Sequence, residues 1–270
     1  MPDLFFKEKS IANTEYPIKL HIAEPGGEYP DYYPLHCHEH MELIYFPNGK
    51  TKVVIENDTF ECNAGDMVAI NGHELHSSER IDNSTIFCIR IAPSFFSDID
   101  YKNIFFKPFA KHDVFIRDCF EKIFCEFKTP GPGSDSQIKG LTYLLITHLL
   151  RNYRLTDEIA LSKKKKLYKI NTILQYILAN YHKKLTTAEL AKRFYLSEYY
   201  FCRFFKSETG MSPTNYLNKV RIEKAAVFLK NSDRSITETA LEVGFEDSNY
   251  FSKLFKKYMN VTPREYKKKL

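Results

Sequence analysis

Three histidines and a glutamate fall within seven residues of the segment LHCHEHMELIYFPNG (35–49). His36, His38, His40 and Glu42 alternate there with Cys37, Glu39 and Met41. Strict alternation is a strand signature, so it predicts that the four side chains share one face. Imidazoles beside a carboxylate are a donor set that divalent transition metals select. The same groups can hydrogen-bond a small polar ligand, or can serve only as histidines satisfied by neighbours in a core. Other chemistries lack their motifs: there is no G-x-x-x-x-G-K-S/T, no G-x-G-x-x-G and no G-x-S-x-G.

The residues around this cluster read as short strands joined by turns, from 16 to 92. In TKVVIENDTFECNAGDMVAING, Lys52 to Ile55 form a strand, Glu56-Asn57-Asp58 a turn, Thr59 to Cys62 a strand, and Asn63-Ala64-Gly65-Asp66 a turn. Strands of this length and spacing predict a small antiparallel barrel or sandwich. Residues 112–127 then follow helical steps through Val114, Phe115, Cys119, Ile123 and Phe127. TPGPGSDS (129–136) is a loop on its Pro and Gly content, and 137–153 resume helical periodicity through Ile138, Leu141, Leu145, Leu149 and Tyr153.

With 270 residues and 43% hydrophobic content, the chain has room for two domains. Its six cysteines (37, 62, 88, 119, 125, 202) include no C-x-x-C, which suits free thiols in a reducing compartment. MPDLFFKEKS places charges where a signal peptide needs an apolar run, and no apolar stretch reaches the roughly 20 residues that span a bilayer. The expectation is a cytoplasmic protein without membrane partners. Charge is unevenly shared. Residues 163–270 carry 23 Lys+Arg against 10 Asp+Glu, a net +13, whereas residues 1–162 carry 16 against 24, a net −8. A basic second part points to a polyanion, and nucleic acid fits better than a membrane surface. LSKKKKLYK marks the border as a solvated, Lys-rich linker at 159–168, between a domain at 1–158 and one at 169–270.

The basic part repeats itself. Ala191 matches Ala240 and Leu196 matches Phe245 at a spacing of 49. Phe201, Phe205, Pro213 and Tyr216 match Phe251, Phe255, Pro263 and Tyr266 at a spacing of 50. Thr186-x-x-Glu189 and Ser235-x-x-Glu238 are capping boxes. Ser197, and Asp247 or Ser248, cap a second helix, which Gly210 and Asn260 end. The plan is two helix-turn-helix units, at 186–210 and 235–260. On the second helix of each unit a polar stripe opposes the aromatic one: Tyr199, Cys202, Arg203 and Lys206, then Asn249, Ser252, Lys253 and Lys256. Any single helix has a wet face, but two in register within a region of +13 favour DNA.

Residues 170–268 resemble the paired helix-turn-helix domain of the AraC/XylS family of bacterial transcription regulators, through LAKRFYLSEYYFCRFFKSETGMSPTNYL and ALEVGFEDSNYFSKLFKKYMNVTPREY. The resemblance implies that the helices starting at Ser197 and Asp247 enter adjacent major grooves, about 34 Å apart, and that Val220 to Lys230 lie in a long joining helix. By position, Tyr199, Cys202 and Arg203 would read bases in the first unit, and Asn249, Ser252 and Lys253 in the second, with Lys206, Ser248 and Lys256 beside them. Cys202 is a poor hydrogen-bonding residue for that role, and Thr239 stands where an aliphatic residue is usual.

Residues 34 to 78 resemble the cupin barrel that often precedes this domain. His36, His38, Glu42 and Gly49 meet H-x-H-x3-E-x6-G. A second motif runs from Gly65-Asp66 to His76, with Asn71 in place of proline and His73 in place of glycine. The resemblance implies that His36, His38, Glu42 and His76 occupy the positions that hold metal in metal-dependent cupins, with His40 and His73 as spare donors. In regulators of this architecture it favours a sensor pocket, in which the same four residues contact an effector such as a sugar and no cofactor is required. A divalent metal in the pocket, and with it a metal-dependent cupin enzyme or metal sensor carrying a basic DNA-associating tail, is the alternative. The expected fold is α+β in two domains, a cupin-type β-barrel with flanking helices and an all-α double helix-turn-helix. The expected protein is an effector-responsive activator rather than an enzyme, with promoter DNA, RNA polymerase and a second copy of itself as partners.

Overall fold

The strand-rich part forms short strands as its sequence predicts, and they build two antiparallel sheets. A computed structural model describes residues 17–27, 29–96, 104–231 and 234–268; the opening residues read above for a leader lie outside them. The strands are β1 (Ile18–Ala23), β2 (Tyr32–His36), β3 (Met41–Tyr45), β4 (Lys50–Ile55), β5 (Asp58–Asn63), β6 (Met67–Ile70), β7 (His76–Arg80), β8 (Ile86–Ile91) and β9 (Phe109–Ala110). One sheet has the order β1-β8-β3-β6-β9 and the other β2-β7-β4-β5. Ile44, Phe46, Val68, Ile70 and Cys88 from the first sheet share a core with Val53, Ile55 and Cys62 from the second. The opposite face of the first sheet, through Met41, Leu43, Tyr45, Met67, Ala69, Ile89 and Ile91, packs on helices α1 (Val114–Lys128) and α2 (Ser134–Asn152). β3 is therefore buried on both faces, which is why MELIY reads as a near-continuous apolar run.

Four expectations need correction. The alternating run 36–42 is not one strand: β2 ends at His36, Cys37 to His40 are irregular, and β3 begins at Met41. In α1 the buried stripe is Ile116, Cys119, Phe120, Ile123 and Phe124, while Val114, Phe115 and Phe127 are exposed. The apolar residues outnumber the positions one face can hold, and the sheet selects those around Phe120. The loop after α1 ends at Gly133, and α2 begins three residues earlier than its periodicity suggested. Residues 159–168, expected as a solvated linker, lie within helix α3 (Asp157–Asn180), where Ala160 and Leu167 are buried and pack with Phe105. Lysine stems tolerate a helix well, so four consecutive lysines argue for solvation without excluding helix.

The described residues divide into two compact units, the chain passing from one to the other between Leu167 and Tyr168. The second unit holds the rest of α3 with α4 (Thr187–Arg193), α5 (Glu198–Thr209), α6 (Pro213–Asn231), α7 (Ile236–Glu242), α8 (Ser248–Met259) and α9 (Pro263–Lys268). Both capping boxes form, on Thr186–Glu189 and Ser235–Glu238. Asp247 rather than Ser248 caps α8, and Ser197 caps α5. Gly210 and Asn260 take left-handed φ of 70° and 58° at the helix ends. The repeat extends to ring geometry. Phe201–Phe205 centroids lie 5.8 Å apart and Phe251–Phe255 5.6 Å, and Phe205–Tyr216 and Phe255–Tyr266 lie 5.4 and 5.5 Å apart. In both turns the amide after the break bonds back at 2.9 Å, Leu196 to Ala191 and Phe245 to Ala240. The turn residue takes a positive φ in each, 55° at Tyr195 and 92° at Gly244. Only Gly244 must be glycine on steric grounds, since a Cβ there would sit 2.7 Å from the His182 carbonyl oxygen.

Candidate functional site

Strand register assembles a site between the two sheets of the first unit. Glu42 on β3 lies opposite Arg90 on β8, and His36 on β2 lies opposite His76 on β7. His38 enters from the irregular segment between β2 and β3. Donor atoms of His36, His38, Glu42 and His76 all fall within 4.8 Å of one another, and all four residues are buried. Tertiary structure thus unites the four positions that the cupin resemblance singled out. The two spare donors do not join them. His40 stacks on His38 with centroids 3.7 Å apart, and His73 is exposed. His73 has a φ of 70°, so its departure from glycine places a non-glycine residue in the left-handed region. Asn71, the departure from proline, exchanges hydrogen bonds with the backbone of Phe106 at 2.8 and 3.2 Å. Gly49 answers a steric demand: its φ is 69°, and a Cβ would lie 2.5 Å from Ser84 Cα.

The hydrogen bonds orient the imidazoles. His38 Nδ1 lies 3.0 Å from the His40 carbonyl oxygen, and His76 Nδ1 lies 2.8 Å from that of Glu74. A carbonyl only accepts, so each Nδ1 carries the proton and each Nε2 turns towards Glu42. Glu42 Oε2 lies 3.1 Å from His76 Nε2 and 3.4 Å from His38 Nε2. Glu42 Oε1 accepts hydrogen bonds from Arg90 Nε at 2.7 Å and Cys88 Sγ at 2.9 Å. Burial acts to raise the Glu42 pKa, but the Arg90 guanidinium beside it outweighs burial and holds the carboxyl well below the usual range. Burial pushes His38 down to about 4, so this ring is neutral at pH 7. A lone pair facing a carboxylate oxygen is an arrangement that a shared proton or a cation relieves. Nε2 atoms aimed inward, with Nδ1 held by backbone carbonyls, fit the donor set of a divalent transition metal.

A cavity of about 70 Å³ opens beside three of the four, His36, Glu42 and His76, space for on the order of five waters. Its lining includes His36, Glu42, His76 and Arg90, apolar Ile44, Val53, Ile70 and Ile86, and the half-buried His21, Tyr29 and Tyr33, but not His38. His21 Nδ1 and the Tyr29 hydroxyl are 2.6 Å apart. Sequence reading missed Arg90, Cys88 and His21. Arg90 had a signal: in IFCIRI a cation occupies the third position of the alternating set Ile86, Cys88, Arg90, where a buried strand needs a partner for it.

In the second unit the two polar ridges face outward. Tyr199, Arg203 and Lys206 on α5 are exposed and Cys202 is half-buried. On α8, Asn249, Lys253 and Lys256 are exposed, with Ser248 and Ser252 half-buried. Phe201, Phe204 and Phe205 on one helix, and Phe251 and Phe255 on the other, fill the opposite faces. The Arg203 guanidinium lies 5.6 Å from the Tyr199 ring centroid, and its Nη1 donates to the Tyr199 hydroxyl at 3.4 Å. Thr239 is buried, with its hydroxyl satisfied by the Ser235 carbonyl at 2.9 Å, so it substitutes for an aliphatic residue without an orphaned polar atom.

Comparison with known proteins agrees on both units. A family described as "AraC-like ligand binding domain" matches residues 25–146, and one described as "Helix-turn-helix domain" matches 190–269. The HTH-type transcriptional regulator YdeC of Bacillus subtilis is 26% identical over 276 residues, covering 94% of this chain and 93% of that protein. The HTH-type transcriptional activator RhaS of Klebsiella pneumoniae is 24% identical over 246 residues, covering 86% and 87%. Among solved structures, the C-terminal domain of AraT, a response regulator from Geobacillus stearothermophilus, is 35% identical with a TM-score of 0.37, covering 38% of this chain and 85% of that one. With a ligand-binding barrel ahead of two capped helix-turn-helix units, and with relatives that match over nearly the whole length, the chain belongs to the AraC family of effector-responsive, DNA-binding transcription regulators.

Proposed function

We propose that the chain activates transcription from promoters it marks through α5 and α8, on command of a small ligand seated over His36, His38, Glu42 and His76. The observation that carries this reading is the pair of ridges, Tyr199/Cys202/Arg203/Lys206 and Asn249/Ser252/Lys253/Lys256, repeated on two helices that share caps, turn geometry and ring packing. Helices so presented fit successive major grooves about 34 Å apart. Ser248 stands at the start of α8, where a phosphate or a base edge would meet it. The pocket suits a compact, neutral, hydroxyl-bearing ligand such as a sugar: Arg90 is already neutralised by Glu42, leaving hydrogen-bonding groups rather than a spare cation to greet it.

The regulator works in the cytoplasm, where promoter DNA and RNA polymerase are found; no helix among the described residues is long and apolar enough to cross a membrane. It needs no turnover to do so, and a second copy of the chain is its natural partner on DNA. Genome-wide mapping of bound DNA, followed by binding of the purified protein to the recovered sites, tests the reading. Site-selective binding that changes with a metabolite of the neighbouring genes supports it. Binding no tighter to mapped sites than to scrambled duplex refutes it.

A metal-holding pocket is favoured by one observation of its own, the four convergent donors, with Nδ1 of His38 and of His76 tied to backbone carbonyls. A divalent ion held by His36, His38, Glu42 and His76 would supply a Lewis-acid centre for anchoring ligand oxygens. Metal analysis of the purified chain, with His38→Ala as control, decides it: about one equivalent retained by the wild type and lost in the variant supports a metal site, and none in either removes it.

A further inference from the structure

Lys163 lies in the segment whose sequence reads as a solvated linker, yet its ammonium is 2.5 Å from Glu74 Oε1 and 3.4 Å from Glu56 Oε2. The Glu74 carboxylate is fully buried, and a buried charge persists only when it is paired and hydrogen-bonded. Glu74 has further partners. Its carboxylate accepts from the Asn71 amide nitrogen at 2.7 Å and from Asn71 Nδ2 at 3.1 Å, and its carbonyl oxygen takes the His76 Nδ1 proton at 2.8 Å. Asn71 in turn bonds the backbone of Phe106, and the adjacent Phe105 packs with Ala160 and Leu167 of α3. The short loop 71–75 therefore holds a pocket imidazole by one group and the opening turns of α3 by another. Helix α3 then continues to Asn180, and in the second unit Arg221 binds the carbonyl oxygens just beyond it, those of Tyr181 and Lys183, at 2.8 Å each.

We propose that Lys163 and Glu74 are positioning residues that pass the state of the ligand pocket at His76 to helix α3, and so to the DNA-binding unit. The inference rests on the effector reading of that pocket. A ligand that engages His76 Nε2 shifts a ring whose other nitrogen is tied to Glu74. The loop cannot follow without moving the buried carboxylate, and Lys163 must follow that carboxylate or be left with Glu56 alone. A purely structural ion pair would hold α3 against the barrel equally well in every ligand state. A transmitting pair makes the two ends energetically dependent on each other.

The test is a double-mutant cycle in the full chain, read as the Kd for a labelled duplex carrying a mapped genomic site. His76→Gln alters that Kd by roughly five-fold or more when Lys163 is present, has little effect in the Lys163→Met background, and regains its effect with Lys163→Arg, which keeps the ion pair. Equal fold-changes in the wild-type and Lys163→Met backgrounds overturn the relay, as does an unchanged Kd for His76→Gln in the otherwise wild-type chain. A second measurement requires no change at Lys163: amide hydrogen exchange across 158–167 in His76→Gln against wild type. Faster exchange there supports transmission, and unaltered protection beside a loosened 71–76 loop overturns it. A wild-type chain without preference for the mapped site would refute the DNA-binding reading itself, and the relay with it. Normal site binding with additive variants refutes the relay alone.

Discussion

Replacing Arg203 by alanine isolates what one ridge residue contributes. Arg203 is exposed on α5, so its removal leaves the Phe201–Phe205 core untouched and fold stability within about 0.5 kcal/mol. The guanidinium is held by the Tyr199 ring and hydroxyl one turn away, so less rotamer entropy is lost when it meets a base edge. A bidentate contact to guanine contributes about 1–3 kcal/mol of discrimination, or roughly 5- to 150-fold in Kd at 25 °C. Fluorescence anisotropy on a mapped site, on single-base variants of it and on a scrambled duplex, each over a range of salt, reads the effect. Arg203→Ala should weaken the mapped site by that factor, make one base position indifferent, and leave the scrambled duplex and the salt slope nearly unchanged. Tyr199→Phe, which keeps the ring and removes the hydroxyl, should cost only a few tenths of a kcal/mol through lost orientation. Equal weakening on every duplex, with the salt slope reduced by about 0.9, would make Arg203 a phosphate clamp instead. No loss on any duplex would remove α5 from the reading surface.

The two capping boxes should be equivalent: Thr186→Ala and Ser235→Ala each lower unfolding free energy by about 1 kcal/mol in urea titrations. Gly49→Ala should destabilise by at least about 2 kcal/mol, because a left-handed φ and a backbone clash at Ser84 Cα act together; a neutral outcome would contradict the turn geometry. Tyr153 has its pKa pushed up to about 12, by burial first and then by its hydrogen bond to Asp113. Its neutral form is favoured in the fold, so its contribution is present below pH 10 and is lost as pH rises from 10 towards 12, and Tyr153→Phe should flatten that part of the melting-temperature profile. Asp113 caps α1 and also accepts from His148 and Tyr153. Burial acts to raise its pKa, but these bonds hold it below the ordinary value. Its contribution is therefore present above the ordinary carboxylate pKa and is lost as pH falls through the depressed one, a loss that Asp113→Asn should remove from acid titrations.

Much of the second unit was legible because its determinants are local. A capping box spans four residues, a C-cap glycine or asparagine marks its own helix end, and an aromatic stripe declares its face at steps of three and four. A fifty-residue repeat then states each of these twice. The barrel was legible in its alternation and in its motif residues, but α1 shows the limit: it carries more apolar residues than one face can bury, and only the sheet that packs on it chose Phe120 and Phe124 over Phe115 and Phe127. Chain order alone was enough to place His36, His38 and Glu42 near one another, since they are separated by so few bonds. Folding had to bring in His76, 34 residues from Glu42, which meets it across the space between two sheets, and Arg90, 48 residues away, which meets it from the neighbouring strand of the same sheet. Folding also had to deliver a lysine from a run of four to a buried carboxylate. Both depend on strand register and helix docking, which are set by the burial of whole faces and not by any residue's neighbours in the chain.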